Sequence, residues 1–143
     1  MKIGKYKDGG PESYVTGWFI ESKRLGSLAL LSFAPGSREA FHSHAFNSHS
    51  IVVGPGHLEE VFYDGSSIEH KPGSFVHTKK KDLHKVYSHG TTYVLTVRGP
   101  WGYYWNEIAD GYVYYLEHGR GVIAAVPESY QLVRYKLGLR TAA

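Results

Sequence analysis

Cysteine is absent from the 143 residues, and methionine occurs once. Without thiols there can be no disulfide and no thiolate metal site, so any metal must be held by His, Asp or Glu. No apolar stretch approaches the twenty or so residues of a membrane helix, and Met1 to Asp8 contain no apolar signal-like core. The cytoplasm is therefore the expected compartment, with no membrane partner. Charge of one sign is scarce as well. Sixteen Lys and Arg against thirteen Asp and Glu leave a formal charge of +3 and a pI near 9.0. A dedicated nucleic-acid binder carries a far stronger basic patch. Here the densest run, Lys79-Lys80-Lys81, ends at once in Asp82 and reads as a solvated loop. Repeats, linkers and low-complexity tracts are also missing, and the length suits one domain spanning residues 1–143.

Aromatic residues and glycine are abundant: twelve Tyr, six Phe, three Trp and seventeen Gly. Together with short alternating apolar runs they favour strands over helices. Strands are expected at Tyr14–Ile20, Ser27–Phe33, Ala40–His44, His49–Val53, His57–Tyr63, Ser74–Thr78, His84–Tyr87, Thr91–Arg98, Gly102–Ile108 and Tyr112–Glu117. Ala34-Pro35-Gly36, Gly54-Pro55-Gly56, Asp64-Gly65, Lys71-Pro72-Gly73 and Gly99-Pro100 punctuate them as turns, and Asp110-Gly111 as a hairpin. Many short strands without alternating helices imply an all-β closed barrel or jelly roll. Only Pro127 to Leu139, with Leu132, Val133, Tyr135 and Leu139, has the spacing of a C-terminal amphipathic helix.

The nine histidines carry the chemistry. On a strand, His42 and His44 point to the same face. Two neutral imidazoles side by side can chelate a divalent ion at about 2 Å. Their frame is Gly36, five residues, His42-Ser43-His44, four residues, His49, six residues, Gly56. A second frame follows: Gly73, five residues, Lys79-Lys80-Lys81, two residues, His84, three residues, Ser88. These two spacings resemble the paired motifs of the cupin superfamily, and the likeness covers roughly residues 33–98. The His-x-His strand, the Gly54–Glu60 segment and the aromatic ending Tyr93–Trp101 are similar to small bacterial and phage cupins of unassigned activity. The resemblance implies a double-stranded β-helix, with His42, His44 and His84 as metal ligands. His49 stands where the family normally has a carboxylate, while Lys79, Lys81 and Ser88 replace its usual proline, glycine and asparagine. A short hairpin after His44 would bring His49 beside His42, giving a four-histidine site of His42, His44, His49 and His84.

Such a site suits Fe above all, with Zn, Mn, Ni or Cu as alternatives, and disfavours Mg or Ca. Four neutral ligands leave the metal charge uncompensated, which favours an anionic small-molecule substrate. Glu59 and Glu60 alternate on their strand, so one of them faces inward. Glu59 is taken as a catalytic carboxylate beside His49, with Glu60 as the alternative. His77 reads as structural or solvated, and His57, His70, His89 and His118 as exposed. The run Trp101-Gly102-Tyr103-Tyr104-Trp105 reads as core or interface, and a homodimer is expected. Two functional classes follow from the resemblance. One is a metalloenzyme, chiefly of the non-haem Fe(II) dioxygenase type, with Zn- or Mn-assisted isomerases and cyclases on the same ligands. The other is a small-molecule, sugar or nucleotide binding module without turnover.

Overall fold

The computed structural model describes residues 1–37, 40–117 and 121–129. The chain there is all-β: β1 (Lys2–Lys7), β2 (Val15–Ser22), β3 (Gly26–Phe33), β4 (Ser48–Phe62), β5 (Ser67–His70), β6 (Phe75–Thr78), β7 (His84–Arg98), β8 (Trp105–Ala109), β9 (Tyr112–Leu116) and β10 (Val122–Pro127). One sheet runs β1-β2-β3-β7-β4-β5, with β6 also paired to β4, and a second runs β10-β9-β8. All of the named pairings are antiparallel.

Period-two alternation decides which side chains enter the barrel. On β3, Ser27, Ala29 and Leu31 are buried while Leu28 and Leu30 stay exposed. On β7, Ser88, Thr92, Val94, Thr96 and Arg98 face inward. The main core joins Phe19, Ala29, Leu31, Val52, Leu58 and Val94, and a second cluster joins Leu83, Ile108 and Val113. Each of the larger of these side chains contributes about 1.5–3 kcal/mol by leaving water.

Several expected boundaries shift. His49–Val53 and His57–Tyr63 are one strand, β4, and Gly54-Pro55-Gly56 is a double irregularity in its pairing with β7 rather than a turn. Gly56 is required there because a Cβ would meet the His89 carbonyl at 2.5 Å. His84–Tyr87 and Thr91–Arg98 likewise fuse into β7. Ala40–His44 contracts to bridges from His42 to His84 and Glu107, and the last aromatic run begins pairing only at Trp105. The edge strands β1, β5 and β10 carry too little apolar alternation to stand out in sequence. Nearly all of the helix expected over Pro127 to Leu139 lies outside the described residues.

Candidate metal centre

The two histidine-bearing segments are antiparallel neighbours. Gly36 and Ser88 exchange backbone hydrogen bonds, N to O at 2.9 and 3.0 Å, and so do His42 and His84 at the same two distances. The start of one motif therefore pairs with the end of the other, which is why their spacings carry information together. Ser43 points away from its histidine neighbours and is fully buried, its Oγ accepting from the Asn106 backbone N–H at 2.9 Å. That anchor leaves His42 and His44 side by side on the barrel face.

His42, His44 and His84 converge, with one ring nitrogen from each within 4.8 Å of the others. His44 Nε2 lies 3.0 Å from His84 Nε2. His42 Nδ1 donates to the Ala40 carbonyl at 3.0 Å, and His84 Nδ1 donates to Glu60 Oε2. Both contacts fix the tautomer and leave Nε2 as the lone-pair nitrogen, the arrangement found when a histidine ligand is oriented by an outer partner. Three imidazole donors at this spacing fit one divalent transition ion. They can hold it, with Glu60 outside the donor set.

Glu60 is the inward acid. It is buried, and its second oxygen, Oε1, lies 2.9 Å from His70 Nε2. Burial alone would raise its pKa, but hydrogen bonds and charge from His84 and then His70 outweigh it and hold the carboxyl below its ordinary value. Glu59 points out of the barrel, where its carboxylate pairs with His89 at 3.1 Å. Glu59, expected as the catalytic carboxylate, therefore lies on the outer face, and strand parity turns Glu60 toward the histidines instead.

His49 is also outside the cluster. Ser48 and Ser50 take the inward positions at the start of β4, so His49 is exposed and stacks on His77, its cross-strand partner, at 4.2 Å between centroids. The structure thus brings together three of the four histidines expected as ligands. His57 and His89 stack similarly on the outer face at 4.6 Å. His70, expected in solvent, faces the interior with a side chain 12% exposed. Its position on the edge strand β5, opposite Leu58, explains why sequence periodicity missed it. His118 lies outside the described residues.

A cavity of about 290 Å³ adjoins the cluster and is lined by all three histidines, Glu60, His70 and Arg98. The Arg98 guanidinium is buried, pairs with Asp8 at 2.5 and 3.2 Å, and lies 4.6 Å from the Phe46 ring and 5.2 Å from the Phe19 ring. A terminal strand residue gave no sequence signal for that role. Lys79–Lys81 does not line the cavity. Lys85 does, with Nζ 4.9 Å from the Phe41 ring. Trp105 also reaches the cavity, whereas Tyr103 is exposed.

A barrel of this topology with a histidine triad on its inner face is a cupin fold. Solved structures agree on the fold. A cupin-superfamily sugar phosphate isomerase from Silicibacter pomeroyi superposes with a TM-score of 0.59 at 14% identity, covering 89% of each chain. The polyketide cyclase RemF from Streptomyces resistomycificus gives 0.56 at 19% identity, over 68% of this chain and 73% of that one. Fe(II)-HppE with an alternative substrate gives 0.53 at 11% identity, over 67% of this chain and 55% of that one. No protein-family model matches the sequence, and no curated protein does. Among the described residues no helix is long and apolar enough to cross a membrane.

Proposed function

We propose that the chain is a homodimeric metal-dependent enzyme of the non-haem Fe(II) dioxygenase type, acting on a small anionic molecule. The observation that carries this reading is the three-histidine cluster opening on a cavity, with its carboxylate held behind a ligand histidine. His42, His44 and His84 would hold the ion. When bound, a redox-active ion supplies dioxygen activation, and three protein ligands leave room for further partners. The chain's own groups do the rest. Glu60 fixes the His84 ring, and His70 sits on the same carboxylate at the cavity wall, where it can hold or release a proton. The nearby Arg98 charge is matched by Asp8. An ion of charge +2 on three neutral rings, with Glu60 the one acid among the described cavity residues that is not paired with Arg98, leaves the centre net positive and favours an anionic guest.

The Glu60–His70 pair also favours a second reading, a metal-assisted isomerase or cyclase whose chemistry is proton transfer. One experiment separates the two. The protein is purified without added metal, its metal content measured, and oxygen uptake followed after anaerobic Fe(II) loading with a panel of small carboxylates. Stoichiometric iron with substrate-dependent uptake supports the dioxygenase. Tightly held zinc and no uptake would replace it with the second reading, and no bound metal would remove both.

A further inference from the structure

Arg98 is a buried cation that the metal-centre chemistry does not use. It ends β7, and strand register sets it beside Ser48 on β4, which in turn faces Thr78 on β6. Directly opposed residues carry their side chains to one face, about 5 Å apart. All three line the cavity. Ser48 and Thr78 are each 8% exposed, and among the described residues neither hydroxyl has a hydrogen-bond partner. A buried hydroxyl ordinarily has one, and the cavity is the space these two face. The guanidinium is met fork to fork by a carboxylate of the chain itself. Nη1 donates to Asp8 Oδ1 at 3.2 Å and Nη2 to Asp8 Oδ2 at 2.5 Å. Phe46 links this end of the cavity to the histidines, its ring 4.6 Å from the guanidinium and 5.2 Å from the His44 ring.

We propose that Arg98, Ser48 and Thr78 form a carboxylate seat, which Asp8 holds until the carboxylate of a guest takes its place. The guest is then a two-ended acid, with a carboxylate on Arg98 and a second anionic group at the metal. For that second end the inference rests on the metal centre proposed above. The planar, two-point geometry of the Asp8 contact shows that the seat fits a carboxylate. Charge selects the same class. Among the described cavity residues Arg98 is the one Lys or Arg at its end, since Lys85 stands at the opposite end of β7. One cation balances a carboxylate, whereas a phosphate dianion would bring a second buried charge without a partner. Exchange needs only a side-chain rotation, because the Asp8 backbone N–H stays bonded to the Val15 carbonyl at 2.9 Å. The Asp8 side chain is 26% exposed against 5% for Arg98, so it has water to turn into. Gly9 and Gly10 follow it at positive φ and put no side chain in its path. The incoming carboxylate recovers both guanidinium bonds and gains the two hydroxyls that Asp8 leaves unused.

The test is calorimetric titration of the full chain with succinate, glutarate and adipate, and with butyrate as the one-ended control. Wild type, Asp8→Asn and Arg98→Gln are each titrated loaded with zinc and stripped of metal. The best diacid should bind zinc-loaded wild type about tenfold more tightly than butyrate. Asp8→Asn removes the competing carboxylate and should gain about tenfold more for that diacid, while Arg98→Gln should lose the preference for it. Equal affinity of wild type and Asp8→Asn for every diacid would overturn the seat, as would a preference that survives in Arg98→Gln. Should zinc strengthen all the acids alike with no response to Asp8 or Arg98, the metal centre stands and the seat falls. Should zinc change nothing while Asp8→Asn still gains affinity, the seat stands and the metal end falls with the reading it rests on. If Arg98→Gln fails to fold by circular dichroism, Asp8→Asn must still gain affinity and Ser48→Ala must lose about threefold or more; otherwise the seat is refuted.

Discussion

Glu60 is the residue whose removal tests the metal centre most sharply. Its Oε2 accepts from His84 Nδ1 and its Oε1 faces His70 Nε2 at 2.9 Å, so one buried carboxylate restrains two rings. Glu60→Gln keeps an acceptor for His84 but presents an amide N–H₂ to His70 and removes the charge. Glu60→Ala leaves the buried His84 donor unpaired. Outer partners of histidine ligands typically carry 10–100-fold in metal affinity. Gln should fall near the lower end and Ala near the upper, roughly 1.4 and 2.7 kcal/mol. The assay is competition with a chromogenic chelator at pH 7.5, using zinc or nickel to avoid oxidation, with circular dichroism as the fold control. A flat series, with all three proteins within twofold while folded, would refute the claim that Glu60 holds His84 in place. An affinity that rises in Glu60→Gln would also refute it.

Other outcomes follow from the same geometry. His84→Ala should abolish stoichiometric metal binding, whereas His49→Ala should leave metal content unchanged, by elemental analysis of both variants as isolated. The lowered Glu60 carboxyl contributes stability that is complete above its unfolded value of about 4.5 and is lost as pH falls through the folded value. Urea titrations from pH 7 to 3 should therefore show a shallower acid loss for Glu60→Gln than for wild type below about pH 4.5. Gly56→Ala drives a methyl into the His89 carbonyl and Thr92 Oγ1, each at 2.5 Å. A cost of about 3 kcal/mol is expected by denaturant unfolding, and a change under 0.5 kcal/mol would mean that the bend in β4 yields easily.

The barrel was legible because its strands alternate, and because turn residues such as Gly36, Gly73 and Asp110-Gly111 adopt positive φ where the sequence places them. The His42, His44 and His84 positions were legible for a different reason. The motif spacings encode the antiparallel pairing of Gly36 with Ser88 and His42 with His84, so two local patterns report one long-range contact. Parity was harder. Whether Glu59 or Glu60 turns inward depends on the two irregularities around Gly54-Pro55-Gly56, which no composition rule fixes. The same strand sends His49 out, because the segment from Ala45 to Asn47 delivers Ser48, not His49, to the interior. Arg98 and Asp8 were invisible for want of any local pattern: they meet only when β7 passes the loop after β1.

The fate of the acidic group ties these points together. In the cupin motif that the sequence resembles, the carboxylate belongs to the donor set and neutralises part of the metal charge directly. Here that position is His49, facing solvent, and the acid nearest the centre is Glu60, acting through the His84 ring. An acceptor on Nδ1 makes Nε2 a stronger donor, so charge compensation is transmitted rather than lost. It is also weaker at a distance, since Coulomb attraction falls with separation and with intervening polarisable groups. The centre should therefore hold its ion less tightly than a three-histidine, one-carboxylate site and attract an anionic guest more strongly. A carboxylate added to the cavity wall is expected to reverse both effects: Ser50→Glu, whose side chain lines the cavity beside Thr96, should raise metal affinity and lower affinity for small carboxylates. An unchanged carboxylate affinity in a variant that binds metal more tightly would show that guest binding does not depend on the charge of the centre.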